Sequence, residues 1–311
     1  MDSLLPNSKT DSFPLVTIAV ITRDRDESLK RTLASFSELD YPNLEVIVVD
    51  NASTDNTKII IKQFGYQYIF SPKEFGFART RQLAVEAAKG EFICWCDDDC
   101  VPDSDWVLIL IRRFQEDERI ALIGGGITNH GFAESMRNKG KEKLAKNATL
   151  KICDDFEEPE FFANLNMAAR IDSLKTIGGY DLFFKGGYEE VDLVLSLRKN
   201  EYKIIFEPQA HVNHFHNSSS YKKGRLIYGA SLMRLYLYFK HIDLVGNKGF
   251  VKNEAQLFFR DLILAIRLFL SGIKRLSFIR IKRGTIEISN AFISRLSIPI
   301  FIYRFRKVIA K

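Results

Sequence analysis

The sequence predicts an α/β fold, a sheet flanked by helices, with a basic helical region after it. Two observations predict the sheet. Between residues 13 and 118, four short apolar runs alternate with segments whose apolar residues recur at helical spacing, the pattern of parallel strands joined by crossover helices. Two of those runs end in aspartate, at Asp50 and Asp97, which sets both carboxylates on the rim where open α/β sheets bind ligands. A third observation predicts the basic region. Residues 217–311 hold 19 Lys+Arg against 4 Asp+Glu, a net +15, and residues 1–216 carry −9. A basic segment of this kind suits an anionic surface, either lipid headgroups or nucleic acid.

Residues 1–12 are polar and expected to be disordered, without the basic region or long apolar core of a secretory leader. Leu15 to Ile21 reads as the first strand. In the loop Thr22-Arg23-Asp24-Arg25-Asp26, Asp24 or Asp26 can cap a helix carrying Leu29, Leu33 and Phe36. Tyr41-Pro42-Asn43 is a turn, Leu44 to Val49 the second strand, and Ser53 or Thr54 the cap of a helix through Phe64. Gln67 to Phe70 is the third strand. A helix runs from the Phe75-Gly76-Phe77 segment to about Lys89, and Gly90 fits its end. The fourth strand, Glu91 to Cys96, runs into Asp97-Asp98-Asp99. A helix from Asp103 to about Glu118 follows, then a strand at Ile120 to Ile123, and Gly124-Gly125-Gly126 reads as a flexible turn.

Residues from about 129 to 159 pattern weakly, the mark of a functional or disordered loop. Order resumes from Phe161 to Arg170, and Gly178-Gly179-Tyr180-Asp181 reads as a turn. Gly186-Gly187-Tyr188 then leads into a helix opening on Glu189, Glu190 and Asp192, an acidic first turn that suits the helix dipole. Lys203 to Phe206 is predicted as a last short strand. His211, His214 and His216 follow it, three of the five histidines in the chain.

Three adjacent aspartates repel one another and favour water or a cation. A hard divalent ion such as Mg²⁺ or Mn²⁺ takes oxygen ligands and commonly shares them with substrate phosphates. Asp97–Asp99 therefore reads either as a metal–phosphate site or as a solvated polar loop, and the clustered histidines add a candidate ligand. Cys94 and Cys96 share one face of their strand, which fits packing better than zinc or disulfide roles. Free thiols suit a reducing, cytoplasmic compartment. The sequence lacks a G-x-G-x-x-G after the first strand and a G-x-x-x-x-G-K-[ST] anywhere, which argues against dinucleotide-binding and P-loop domains. It also lacks a charge-free apolar run of about 18 residues, the length of a membrane-spanning helix.

Several pieces in order resemble glycosyltransferase family 2, from about Phe13 to Ser220. Pro14 to Arg23 is similar to the family's first strand and nucleotide loop, and Val48 to Asp55 to its second strand with the base-binding aspartate. Gly76-Phe77-Ala78-Arg79-Thr80-Arg81-Gln82 resembles its Gly…Ala-Arg-Asn segment, Asp97-Asp98-Asp99 its D-x-D motif, and Gly178 to Asp181 with Glu189 to Leu193 its acceptor-side and general-base motifs. The resemblance implies a GT-A fold, a Rossmann-like mixed sheet flanked by helices. It also implies metal-dependent, inverting transfer of a sugar from a nucleotide-diphosphate donor to an acceptor hydroxyl. Nucleotide-sugar contacts would come from Thr22, Arg23, Asp50, Arg81, Asp97 and Asp98, with Arg79 an exposed helix charge. Metal ligands, for Mg²⁺ or Mn²⁺, would come from Asp97, Asp99 and His214 or His216. The family's base is the aspartate of Glu-Asp, and this chain has Glu190 there. The base is then Glu190, one methylene longer, or Glu189 or Asp192.

The expected layout is a catalytic domain at residues 13–220 and a basic, apolar helical region at 221–311. Phe258 to Leu270 mixes aromatic and aliphatic residues with charge, as in-plane membrane helices do. Peripheral attachment to anionic lipid on the cytoplasmic face is the expected role, with a sugar or lipid-linked acceptor and no nucleic acid. The competing readings are a nucleotidyltransferase of similar fold and a catalytically silent sugar- or membrane-binding scaffold.

Overall fold

The computed structural model describes residues 13–131, 141–145, 148–153, 159–215, 230–246, 250–274 and 278–304. The N-terminal segment expected to be disordered and His216 lie outside these residues. The first strands are β1 (Val16–Thr22), β2 (Leu44–Asn51), β3 (Gln67–Ser71) and β4 (Phe92–Cys96). They pair in parallel in the order β3-β2-β1-β4. Helices α1 (Asp26–Ser35), α2 (Thr57–Phe64) and α3 (Phe77–Ala87) make the crossovers. Alternation along β1 decides the two cores. Val16, Ile18 and Val20 pack on one face with Leu29 and Leu33 of α1, while Ala19 faces the other core with Ala78 and Ala84 of α3.

Beyond β4 the sheet becomes mixed. After β5 (Cys100–Pro102) and α4 (Trp106–Glu116) come β6 (Ile120–His130), β7 (Lys141–Ala145), β8 (Thr149–Ile152), β9 (Phe161–Phe162) and β10 (Asn166–Arg170). Next are α5 (Ile171–Thr176), α6 (Glu189–Lys199) and β11 (Lys203–Phe215). The eight-stranded order continues β4-β10-β6-β11-β5, with β10 antiparallel to both neighbours. Strands β8-β7-β9 form a second, smaller sheet within the weakly patterned stretch.

Four expectations are corrected here. Gly124-Gly125-Gly126 is not a turn but the buried middle of β6. Its glycines answer to close approach: a Cβ on Gly124 would lie 2.0 Å from the Phe162 ring, and one on Gly125 2.3 Å from the Ala210 carbonyl. The last strand does not stop at Phe206. It runs on through an irregularity between Glu207 and His211, so His211 and His214 are strand residues. Asp24 does not cap α1; its carboxylate accepts the Thr54 N–H at 2.8 Å and ties the loops after β1 and β2 together. Ser53 and Thr54 do not cap α2, because Asp55 accepts from the Thr57 N–H at 3.0 Å.

The C-terminal region is helical, in α7 (Ala230–Lys240), α8 (Ile242–Val245), α9 (Phe250–Lys274), α10 (Phe278–Leu296) and α11 (Ile298–Arg304). Helix α7 buries Met233, Leu235, Tyr236, Leu237 and Phe239 in the same core as α3 and α6. Arg234 on α7 and Glu254 on α9, both buried, pair through two contacts of 2.7 Å. Helices α9 and α10 pack on one another.

Candidate active site

The site forms where β1, β2 and β4 end on one rim. In parallel register Thr22 of β1 lies opposite Asp50 of β2, and both are buried. Asp50 accepts the Ser53 N–H at 2.8 Å and the Tyr68 hydroxyl at 3.0 Å. Arg23, expected to meet nucleotide, is ion-paired with Glu74 and with Asp24.

The triple aspartate is divided among three partners. Arg25, in the loop after β1, donates from one Nη1 to Asp98 Oδ1 at 2.7 Å and Asp99 Oδ2 at 2.8 Å. Asp99 turns its other oxygen toward His214 Nε2, 3.4 Å away. Arg81 Nη2 lies 3.6 Å from Asp97 Oδ1. Burial pushes the Asp98 carboxyl up to about 7, with Arg25 pulling the other way and Asp99 adding to the rise. His214 is held by Asn129, whose Oδ1 lies 2.8 Å from Nδ1. With the Nδ1–H donating there, Nε2 presents its lone pair toward Asp99. An oxygen and a nitrogen acceptor at this separation suit a divalent cation, so Asp99 and His214 fit the ion that the sequence reading expects. His211 does not join them; it contacts Thr128 at 2.9 Å and Asp103 at 3.2 Å.

The carboxylates that open α6 reach the same rim through α3. Gly76 lets the start of α3 touch the segment before α6, since a Cβ there would sit 2.3 Å from Lys185 Cα. That approach puts buried Arg81 between two motifs: its Nη1 is 2.7 Å from Glu189 Oε1 while its other nitrogen faces Asp97. Glu189 also accepts the Gly187 N–H at 3.0 Å. Tyr188, a bulky residue at φ +70°, ends the loop immediately before α6, a conformation that costs energy and that surrounding packing must hold. Glu190 comes next in line, with Asn164 Nδ2 3.5 Å from its Oε2. Burial and the adjacent Glu189 push the Glu190 carboxyl well above the ordinary carboxylate range.

Asp192 is not brought to this cluster. Both its oxygens face the C-terminal region, with Lys240 at 2.8 Å and His241 Nε2 at 2.8 Å. Arg79 pairs with Glu86 at 3.2 Å on the surface, as expected. Arg25, Asn129 and Asn164 join the site although no sequence motif marks them. Each comes from a segment far from its partner, and only Arg25 carried a signal, as the second arginine in the loop after β1.

The model for the family described as "Glycosyl transferase family 2" matches residues 17–178. Glycosyltransferase AglE of Haloferax volcanii is 22% identical over 178 residues, 55% of this chain and 57% of that protein. Poly-beta-1,6-N-acetyl-D-glucosamine synthase of Staphylococcus epidermidis is 24% identical over 228 residues, 67% of this chain and 52% of that protein. The chain spans about half the length of these curated relatives. Mannosyltransferase PcManGT from Pyrobaculum calidifontis, solved with GDP-Man and Mn²⁺, superposes with TM-score 0.55 at 17% identity, covering 93% of this chain and 88% of that one. S. aureus TarS 1-349, solved with UDP-GlcNAc, gives 0.56 at 15%, covering 91% of each. These likenesses show a shared GT-A fold.

Proposed function

The chain belongs to glycosyl transferase family 2, and we propose that it moves a sugar from a nucleoside-diphosphate donor to an acceptor hydroxyl in one inverting displacement. The observation that carries this reading is Arg81, which touches Glu189 and faces Asp97 and so joins the donor-side and acceptor-side motifs at one rim. Glu190 takes the acceptor proton as the acceptor oxygen bonds to the anomeric carbon, and the diphosphate departs with the bond's electrons. A carboxylate of raised proton affinity suits that role. Asp50, with Tyr68, faces the base, and Thr22, Arg23 and Asp98 line the donor side. A divalent cation held by Asp99 and His214 would offset the charge of the leaving diphosphate. Arg81 acts as a link between carboxylates more than as a diphosphate ligand, because Glu189 engages it.

The same reading covers the C-terminal region. Phe259, Ile263, Ile266 and Leu270 of α9 are exposed at helical spacing, with exposed Arg260 and Arg267 among them. This is the surface of a helix that lies in a lipid interface, with its cations at anionic headgroups. The segment Gly284–Arg304 has the length and hydropathy of a spanning helix, yet it is broken at Ser297 and carries Glu287 and Arg295. In-plane contact fits it better. The four free cysteines suit a reducing compartment, so the surface is the cytoplasmic leaflet and the acceptor is a sugar or a lipid-linked glycan.

The test is a panel of UDP-, GDP- and dTDP-sugars with Mn²⁺ or Mg²⁺, read by thermal shift and then by transfer. One donor raises the Tm with metal, Asp99→Ala removes the shift, and Glu190→Gln keeps it while losing transfer. A panel without any shift sinks the reading, and transfer unchanged in Glu190→Gln removes the base assignment. For the membrane, Phe259→Ser with Ile263→Ser is expected to release the chain from anionic vesicles. Unchanged co-sedimentation would overturn that part.

A further inference from the structure

Cys100 is a free, buried thiol. Its surroundings say more. Pairing of β5 with β11 sets Cys100 opposite His214, and the turn at Asp97–Cys100 places Asp99 beside both. Cys100 Sγ lies 3.9 Å from Asp99 Oδ1. One donor atom each from Asp99, Cys100 and His214 lies within 4.8 Å of the others. A tetrahedral ion at usual Zn–O, Zn–N and Zn–S lengths holds its donors roughly 3.4–3.6 Å apart. The Asp99–His214 separation of 3.4 Å already meets that spacing, and the thiol, 3.9 Å from Asp99 Oδ1 and within 4.8 Å of the histidine nitrogen, must close to reach it. Arg25 holds Asp99 by Oδ2, so Oδ1 is the oxygen turned toward His214 and Cys100.

We infer that Cys100 is a third protein ligand, giving an oxygen–nitrogen–sulfur site that favours borderline ions such as Zn²⁺ and Co²⁺ over Mg²⁺. Thiolate is a soft ligand and discriminates against hard, oxygen-seeking ions. Coordination breaks the S–H bond, forms the S–metal bond and releases the proton to solvent. Positions beyond the three protein ligands remain for diphosphate oxygens. The inference rests on the metal-dependent reading above, and cobalt separates the two.

The experiment titrates the metal-free full-length chain with Co²⁺, with and without UDP, and records absorption. The expected result is visible ligand-field bands together with a near-ultraviolet thiolate-to-cobalt charge-transfer band. Cys100→Ser loses the charge-transfer band and binds Co²⁺ at least roughly tenfold more weakly, the lower bound set by losing a mere outer partner. Its Mg²⁺ affinity stays unchanged, and Cys96→Ser keeps the band. Visible bands without charge transfer in the wild-type chain overturn the sulfur ligand and leave the metal reading standing, and that readout needs no variant to fold. Absence of any Co²⁺ binding, with or without UDP, overturns both.

Discussion

Arg25 stands where a cation is wanted. One guanidinium nitrogen bridges Asp98 and Asp99 at 2.7 and 2.8 Å, so an incoming metal competes with it for Asp99. Two unit charges about 4 Å apart interact by about 4 kcal/mol at an effective dielectric of about 20. The Arg25 side chain is 30% exposed, and solvent screening brings the net advantage down to about 1–2 kcal/mol. Arg25→Ala is therefore expected to bind Mn²⁺ alone roughly 5- to 30-fold more tightly. Titration calorimetry at alkaline pH reads this with Asp98 ionised. The same variant should bind a nucleoside diphosphate more weakly under saturating Mn²⁺, because the displaced guanidinium then sits beside the diphosphate. Opposite signs are the diagnostic. Mn²⁺ affinity that is unchanged or lower in Arg25→Ala refutes the competition.

Further outcomes follow from the same contacts. Asp98 is pushed up to about 7 mainly by burial, above an ordinary value of about 4. The folded metal-free chain thus keeps a proton that the unfolded chain has released. The associated stability is present at acid pH and lost as pH rises through about 7. The Tm of the wild type relative to Asp98→Asn should fall between about pH 5 and about pH 8; a rising difference would contradict the assignment. Asp192→Ala leaves buried His241 without its carboxylate and Lys240 with Asp181 in place of two carboxylates and should cost about 3 kcal/mol in denaturant unfolding; a loss below about 1 kcal/mol would show the network to be incidental. Gly125→Ala must force a Cβ against the Ala210 carbonyl and Asn166 and should cost about 2 kcal/mol or more, with wild-type stability as the contrary result.

Legibility followed locality. Val16–Thr22, Leu44–Asn51 and Phe92–Cys96 announced themselves because each is a continuous apolar run buried on both faces. Their common rim then placed Asp50 and Asp97–Asp99 before any coordinates. Glycine was the ambiguous letter. Three in a row suggest a turn, yet at 124–126 they mark strand contacts so close that side chains cannot fit. The length of β11 was hidden because an irregularity interrupts its alternation between Glu207 and His211. Arg25 on Asp99, Asn129 on His214 and Asn164 on Glu190 pair across 74, 85 and 26 residues, a convergence that no local pattern encodes. The acidic opening of α6 looked uniform in sequence, and only packing assigned its carboxylates to different partners.

That assignment supports the proposal that Glu190 is the base. Three carboxylates open α6, and successive helix positions point about 100° apart, so each meets a different neighbour. Glu189 turns to Arg81 at 2.7 Å. Asp192 turns to Lys240 and His241 at 2.8 Å on the C-terminal side. Both are thereby engaged by direct partners on other elements. Glu190 has an amide neighbour, Asn164, and among the described residues no ion pair. Burial beside a second carboxylate then raises its affinity for a proton, and this is the property a base needs at the moment the acceptor attacks. The two flanking pairs fix the helix from both sides, through α3 on the donor side and α7 on the other. The C-terminal region that presents the apolar face of α9 thereby also helps to set the position of the proposed base.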